Sequence, residues 1–152
     1  PICPESALAM RDAVLQEAED AAIVIKAAAV ADYRPKVRQA QKIKKNDAEL
    51  TLVLEKNPDI LLELGGRKKE KQILVGFAAE TQNLLDYAKA KLQKKNLDLI
   101  VANDVTCPDA GFNTETNLVK IIGRDGSIKE LPLLSKQKVA KTILDAIESL
   151  QK

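Results

Sequence analysis

The feature of this sequence that most constrains its fold is a series of short, nearly unbroken apolar runs separated by helical patterns. Residues 22–30, 72–77 and 97–102 are such runs, and each has the length of a β-strand. Strands of a parallel sheet that is covered on both faces have this composition, so we expect residues 22–30 to form a buried strand. Residues 50–55 alternate between apolar and polar and predict a strand with one exposed face.

Helical periodicity lies between these runs. It predicts helices over residues 7–18, 58–64, 81–95 and 135–150, with Gly65–Gly66 ending the second and Ser135 capping the last. A hairpin is predicted where residues 118–122 and 128–131 flank a turn-forming tetrapeptide. The sequence therefore predicts one α/β domain over residues 1–152, a Rossmann-like, mostly parallel sheet with helices on both faces and a C-terminal β-hairpin. No Gly-rich turn follows a first strand, so we expect the first βα unit to lie upstream of Pro1.

The residue types that are missing narrow the function. There is no His, which excludes a Ser-His-Asp site and any zinc site that needs imidazole. The two cysteines, Cys3 and Cys107, cannot build a metal cluster, and we expect a reduced, cytoplasmic setting. A net charge of +2 and four aromatic residues argue against nucleic acid, and no apolar run is long enough for a membrane span. Lysine, carboxylate and backbone groups remain, and these suit phosphates.

Two polar segments follow the first apolar run. Asp32 comes just after it, where ligands bind in open α/β sheets, and could hold a metal ion or a sugar hydroxyl; the alternative is a solvated turn. Residues 36–45 carry five cations and no acid. They could form a mobile flap that brings lysines to phosphates, or a solvated basic loop in which Ile43 is an apolar anchor.

Two further segments could contact an anionic ligand. Asn57 is predicted to cap the helix that starts near Pro58, and free N–H groups at a helix start can bind an anion. Phe77 could cover a base, while Lys91 and Lys95, four residues apart on one helix face, meet a polyphosphate. The alternative for this second group is a core phenylalanine and a solvated lysine face.

These segments belong to a series of six motifs: AAAVADYRP at 27–35, KIKK at 42–45, NPDIL at 57–61, VGFAAET at 75–81, LDLIVANDV at 97–105 and GFNTETN at 111–117. With these motifs in this order, the sequence resembles the phosphopantothenoylcysteine synthetase family, the ligase half of the bacterial bifunctional coenzyme A biosynthesis flavoprotein. The resemblance covers about residues 7–150.

The resemblance implies a ligase that joins 4′-phosphopantothenate to L-cysteine. In such a ligase the carboxylate attacks the α-phosphate of CTP, and the cysteine amine then displaces CMP from the acyl-cytidylate. Lysines and Mg²⁺ supply charge neutralisation, so the lack of His is no obstacle. The resemblance also implies a homodimer with small-molecule substrates. FMN is expected only if a decarboxylase domain is fused upstream.

Site residues follow from the same resemblance, position by position. Lys42 matches the active-site lysine that acts in nucleotidyl transfer, and Asp32 would contact the nucleotide and could bind its Mg²⁺. Lys26 stands where a small or apolar residue is expected, but its backbone would still contact the nucleotide. The full set of nucleotide-contacting positions implied is Lys26, Ala27, Ala28, Asp32, Lys42, Pro58, Asp59, Ile60, Leu61, Phe77, Lys91 and Lys95.

Two other functions remain open at this point. A non-catalytic domain of the same fold, which binds a nucleotide or serves dimerisation, would account for an absent first βα unit. A nicotinamide-dependent oxidoreductase would share the architecture, but it needs a Gly-rich turn after its first strand and does not explain the series of lysines.

Overall fold

The computed structural model describes residues 1–43, 50–80, 84–104 and 114–151. It contains four helices in these ranges: α1 (Ala7–Ala18), α2 (Ile60–Arg67), α3 (Leu84–Lys94) and α4 (Lys136–Leu150). The strands are β1 (Ile23–Lys26), β2 (Tyr33–Pro35), β3 (Leu54–Lys56), β4 (Ile73–Glu80), β5 (Leu99–Asp104), β6 (Thr116–Asn117), β7 (Val119–Gly123), β8 (Ile128–Glu130) and β9 (Leu134–Ser135).

The main sheet has five strands in the order β1-β4-β5-β7-β8. β1, β4 and β5 are parallel, while β7 and β8 form the C-terminal hairpin and run antiparallel to β5 and to each other. Gly126 in the hairpin turn has φ 87°, a left-handed conformation that glycine adopts without strain. The predicted α/β class and the predicted hairpin are both confirmed.

Helices cover both faces of the sheet, as predicted. α1, α2 and α3 pack on one face, around Leu61, Leu74 and Ile100. α4 packs on the other face, where Ile143 and Ile147 meet β5 and β7. Successive residues of β5 alternate between these two clusters, which is why the central strands are apolar throughout.

The prediction that residues 22–30 form a buried strand is wrong. β1 spans only four residues and lies at the edge of the sheet, paired with β4 on one side. Ile23 and Ile25 are 37% and 41% exposed, and Ala27–Ala29 are exposed beyond the strand. An apolar run indicates a strand, but its composition does not say whether the strand has one neighbour or two.

The predicted end of the second helix is also wrong. α2 runs through Gly65 and Gly66 to Arg67, and it is Lys68 that leaves helical conformation. Gly66 meets open space, whereas a side chain at Gly65 would collide with the backbone of Lys95. Gly65 therefore permits the close approach of two elements and does not end the helix.

The described residues 33–43 and 50–56 form an arm separate from the main sheet, called here the β2–β3 arm. β2 and β3 pair antiparallel with each other, and β2 directly precedes the predicted basic flap. In place of the strand predicted over 50–55, β3 spans Leu54–Lys56. Residues 44 and 45 of the predicted basic flap lie outside the described ranges. None of the helices described is long and apolar enough to cross a membrane.

Candidate functional site

A pocket of about 130 Å³ lies between the end of β1 and the start of α2. It is called here the central pocket. Its walls come from β1, the segment after β1, the start of α2, β4 and the residue after α3. The lining residues are Lys26, Val30, Ala31, Asp32, Asn57, Pro58, Asp59, Ile60, Leu61, Phe77 and Lys95.

Asp59 organises the start of α2. Its side chain accepts a hydrogen bond from the Leu62 backbone N–H at 3.1 Å, which makes Asp59 the N-cap of the helix. Its carboxylate also forms an ion pair with the Lys95 ammonium at 2.9 Å. Burial opposes ionisation of Asp59, but the hydrogen bonds from Lys95 and Leu62 outweigh burial and lower the pKa of the carboxyl.

Asn57, which the sequence predicted to be the helix cap, has a different role. Its amide nitrogen donates to the Ala31 carbonyl at 2.8 Å, and its backbone N–H donates to the Asp32 carbonyl at 2.8 Å. Its side-chain oxygen accepts from Arg34 Nη1 at 2.8 Å. α2 begins at Ile60, so the capping position is residue 59 and not residue 57. Asn57 therefore joins the segment that carries Asp32 to the start of α2.

Lys95 is held in place by a close contact between α2 and the end of α3. A Cβ atom built on Gly65 would lie 1.9 Å from the Lys95 carbonyl oxygen. Asn96 follows in a left-handed conformation with φ 53°, and its side-chain nitrogen donates to the Gly65 carbonyl at 2.9 Å. This contact sets the position of Lys95 relative to Asp59.

Lys26 is the second cation of the central pocket. It ends β1, is aligned with Gly76 of β4, and its ammonium donates to the Ala28 carbonyl at 3.0 Å. Burial lowers the pKa of Lys26, the nearby charge of Lys95 lowers it further, and Asp59 acts in the opposite direction.

Asp32 is the carboxylate best suited to meet a metal ion here, because it is exposed at the pocket wall while Asp59 is engaged by Lys95. Within the ranges described, no three His, Cys, Asp or Glu side chains gather into a protein-only metal site. Mg²⁺ often binds through one or two carboxylates together with substrate phosphates. Asp32 fits that mode and does not fit a cage built by the protein alone.

Eight of the twelve positions implied by the resemblance line the central pocket. Ala27 and Ala28 instead line an apolar groove of about 660 Å³ beside α1 and β1, which Lys26 shares with them. Lys91 is partly buried on α3 and does not line the central pocket. Phe77 lines it while packing against the core on the α4 face.

Lys42 also lies away from the central pocket, on the β2–β3 arm. It is exposed and lines a groove of about 970 Å³ whose described walls come from the arm itself, including Arg34, Lys36 and Ile43. The conformation described here therefore does not bring Lys42 to the residues around Asp59.

Sequence reasoning missed two polar residues near the strand ends. Asn57 was assigned to capping, although an Asn that precedes a proline is a signal for a turn or cross-link. Asn103 stood inside a recognised motif without a role. Its side-chain oxygen is buried near the carboxyl end of β5 and has no hydrogen-bond partner among the described residues. Buried polar atoms of this kind are uncommon.

Comparisons with known proteins agree on a family. A coenzyme A biosynthesis bifunctional protein, CoaBC, from Bacillus subtilis (strain 168) is 54% identical over 148 residues, or 97% of this chain and 36% of that protein. A cysteine/cysteine sulfinic acid decarboxylase from an unknown prokaryotic organism is 41% identical over 145 residues, or 95% of this chain and 40% of that protein. The chain thus spans a little over a third of the length of these curated relatives.

A solved structure has the same fold. The crystal structure of the C-terminal domain of CoaBC superposes with a TM-score of 0.78 at 43% sequence identity, over 98% of this chain and 64% of that chain. The family described as DNA/pantothenate metabolism flavoprotein C-terminal domain matches residues 2–150. Because that match takes in nearly every residue, the chain belongs to the DNA/pantothenate metabolism flavoprotein C-terminal domain family.

Proposed function

We propose that this chain is the part of a coenzyme A biosynthesis enzyme that joins 4′-phosphopantothenate to L-cysteine, with CTP as the activating nucleotide. One observation carries the proposal: residues from separate stretches of the chain, 26–32, 57–61 and 77–95, meet at the central pocket. These are the stretches that resemble the nucleotide-contacting motifs of the ligase. The similarity to proteins named CoaBC supports the same reading.

The proposed chemistry needs positioned charge and no nucleophilic side chain. The carboxylate of 4′-phosphopantothenate attacks the α-phosphorus of CTP, which forms an acyl-cytidylate and releases pyrophosphate. The cysteine amine then attacks the acyl carbon, loses a proton and displaces CMP, so that an amide bond forms. Cations that meet the phosphate oxygens stabilise the charge that develops in the first step.

Asp32 is the residue that we propose for Mg²⁺. A bound Mg²⁺ would neutralise phosphate charge and orient the phosphates. Asn57 contributes by fixing the segment around Asp32 against α2, through its bonds to the Ala31 and Asp32 carbonyls. The Asp59–Lys95 ion pair fixes the opposite wall.

Lys42 is the proposed catalytic cation, and it lies on the β2–β3 arm. For Lys42 to act on the nucleotide, the arm must therefore lie next to a nucleotide-binding pocket. The arm exposes Leu52, Val53 and Leu54, each more than half exposed. We propose that a second copy of the chain covers these residues in a homodimer, because the ligase family that the sequence resembles assembles in this way. An apolar interface on the arm would hold the segment that carries Lys42 next to a nucleotide site.

The charge on Lys42 can be tested against its neighbours in sequence. In the full-length protein we expect Lys42→Gln to lower the rate of product formation by about 10²–10³, since a well-placed transition-state donor is typically worth that much. CTP binding should stay within a few-fold of the wild type. The matched controls, Lys44→Gln and Lys45→Gln, should lose far less in a single-turnover assay with CTP, 4′-phosphopantothenate and cysteine.

Three outcomes would count against this function. Equal, mild losses at all three lysines would make Lys42 an ordinary surface charge. Equal turnover with ATP and CTP would remove the proposed choice of nucleotide. Absence of product from the wild-type protein would favour a non-catalytic nucleotide-binding or dimerisation domain of the same fold.

The homodimer has its own test. We expect light scattering of the full-length protein to give twice the mass of one chain, and Val53→Glu on the arm to shift the mass toward the monomer. Leu144→Glu is the control, because Leu144 is 57% exposed on α4, on a different element. A monomeric wild type at micromolar concentration would contradict the proposal.

Two further parts of the proposal concern the longer protein. We propose that a βα unit earlier in the full protein pairs with the open edge of β1 and covers the apolar groove that α1 and β1 line. We also propose that a decarboxylase domain that uses FMN is fused upstream, in keeping with the words "bifunctional" and "decarboxylase" in the relatives' names. The low cysteine count supports a cytoplasmic location for the proposed enzyme.

A further inference from the structure

The Lys26 side chain is a cation whose hydrogen bonding is incomplete. Its ammonium has three N–H donors, and among the described residues it has one acceptor, the Ala28 carbonyl at 3.0 Å. In the described part of the chain, no carboxylate lies within 4.0 Å of this ammonium, whereas the Lys95 ammonium has Asp59 at 2.9 Å. The side chain is partly buried, so water compensates its charge less than it would at the surface.

The charges around the central pocket add to the lack of a carboxylate partner for Lys26 among the described residues. Lys95 and Asp59 neutralise each other through their ion pair. The charge of Lys95 acts against that of Lys26, and burial acts in the same direction, so the pKa of Lys26 lies below its ordinary value. Asp59 offsets these effects only in part. The pocket therefore contains one cation that would gain from an anionic partner.

The position of Lys26 makes such a partner accessible. Lys26 is the last residue of β1 and lies at the carboxyl end of the strand. It lines the central pocket together with Pro58 and Ile60, at the start of α2. A volume of about 130 Å³ suits one compact group such as a phosphate, and is far smaller than a whole nucleoside triphosphate.

We propose that the Lys26 ammonium is a phosphate-binding group of the central pocket, which contacts an anionic oxygen of a phosphate-bearing ligand. The role belongs to the side chain of this particular residue and adds to the backbone contacts expected at this position. It rests on the proposed function for its choice of ligands: the phosphate can come from the nucleotide, from released pyrophosphate or from 4′-phosphopantothenate. On ligand binding, the ammonium exchanges or supplements its bond to the Ala28 carbonyl.

Calorimetry on the full-length protein separates these sources. The titrants are CTP, pyrophosphate, 4′-phosphopantothenate and cytidine, the last of which has no phosphate. We expect Lys26→Gln to weaken CTP binding about tenfold or more, because hydrogen bonds between charged groups are among the strongest in proteins. Cytidine affinity should not change. Lys26→Arg should restore part of the loss, and the dependence of CTP affinity on salt should be weaker in Lys26→Gln.

Lys141→Gln is the matched control. Lys141 is a surface lysine of α4 that pairs with Asp145 at 3.1 Å, and it lies outside the central pocket. Its replacement should leave all four affinities unchanged. A loss that is specific to pyrophosphate or to 4′-phosphopantothenate would support the proposal and identify that ligand as the source of the phosphate.

Two results would overturn the proposal. An equal loss for cytidine and CTP would mean that Lys26 acts by shaping the pocket, and no loss for any phosphate ligand would make it a solvated cation. Failure of the ligase function is distinguishable from both. A wild type that binds no CTP would refute the nucleotide site, while the pyrophosphate and 4′-phosphopantothenate titrations would still decide the role of Lys26.

Discussion

Two adjacent glycines of α2 offer a direct test of the contact that positions Lys95. Gly65 and Gly66 lie in the same helix, in the same chemical setting, but only Gly65 faces another backbone. A Cβ at Gly65 would lie 1.9 Å from the Lys95 carbonyl oxygen, and real Cβ atoms are essentially never closer than 3.0 Å to another heavy atom. In Gly65→Ala the two backbones must therefore separate by at least about 1 Å.

The size of the effect follows from three contributions. Forcing extra atoms into a packed contact costs about 1–3 kcal/mol, and losing the hydrogen bond from Asn96 to the Gly65 carbonyl costs about 1 kcal/mol more. Replacing a helical glycine by alanine returns about 1 kcal/mol. We expect Gly65→Ala to be destabilised by about 2 kcal/mol, while Gly66→Ala is stabilised by up to about 1 kcal/mol.

Thermal unfolding followed by circular dichroism is the assay. In a domain of this size, 1 kcal/mol shifts Tm by about 2–4 °C, so Gly65→Ala should lower Tm by about 4–8 °C and Gly66→Ala should raise it slightly. Gly65→Ala should also weaken nucleotide binding, because Lys95 moves relative to Asp59. If the two variants have the same Tm, or if Gly65→Ala is the more stable, the close contact does not exist.

Three other predictions concern individual polar and turn residues. Hydrogen bonds from Lys95 and Leu62 outweigh burial and hold the pKa of Asp59 below its ordinary value, so the Asp59 carboxylate stabilises the fold at neutral pH and this contribution is lost as pH falls through the lowered pKa. Asp59→Ala should therefore lose less stability than the wild type between about pH 5 and pH 2, as measured by urea unfolding. An equal loss in both proteins would refute this. Asn103→Leu should leave Tm unchanged or raise it, since it removes a buried oxygen that has no partner in the described part of the chain, and a large drop in Tm would mean that this oxygen is hydrogen-bonded. Gly126→Ala should cost about 1 kcal/mol because of its positive φ, and an unchanged denaturation midpoint would contradict the turn geometry.

The sequence predicts the elements of this fold well where periodicity and capping act together. α1 has the predicted bounds, and α4 begins directly after the predicted cap, Ser135. In both helices local chemistry marks the start: a serine side chain accepts a backbone N–H of the first turn.

Features decided by distant residues could not be predicted in this way. The edge position of β1 depends on which strands pair with it, and residues 22–30 contain no information on that. Gly65 resembles a helix terminator in sequence, yet its role depends on Lys95, thirty positions later. Local pattern therefore identifies elements, and tertiary contacts decide their neighbours.

The candidate site also has one part that local sequence pattern predicts and another part that it does not. Asp32 follows β1, Phe77 lies within the neighbouring parallel strand β4, and both line the central pocket, as expected for ligand sites at the carboxyl ends of strands in an α/β sheet. Asp59 reaches the same pocket as the cap of α2. The role of Lys42 follows from the resemblance alone, and Lys42 lies on the β2–β3 arm, away from the central pocket. The sequence predicts Asn57 as the cap of α2, whereas Asp59 caps it. Asn and Asp both cap helices well, so the sequence does not decide between two such residues that are so close together.

The edge position of β1 also bears on the colloidal behaviour of the protein. Residues 21–30 contain nine aliphatic residues and a single charge, Lys26. Whenever β1 has no strand on its outer side, as during folding or unfolding, an apolar run of this kind is a template for intermolecular β-pairing and aggregation, and a charge within the run acts as a gatekeeper. Lys26 therefore limits self-association of a segment that must remain apolar to pack against α1. Heating or refolding Lys26→Gln at high protein concentration should scatter more light than the wild type, whereas Lys26→Arg should not.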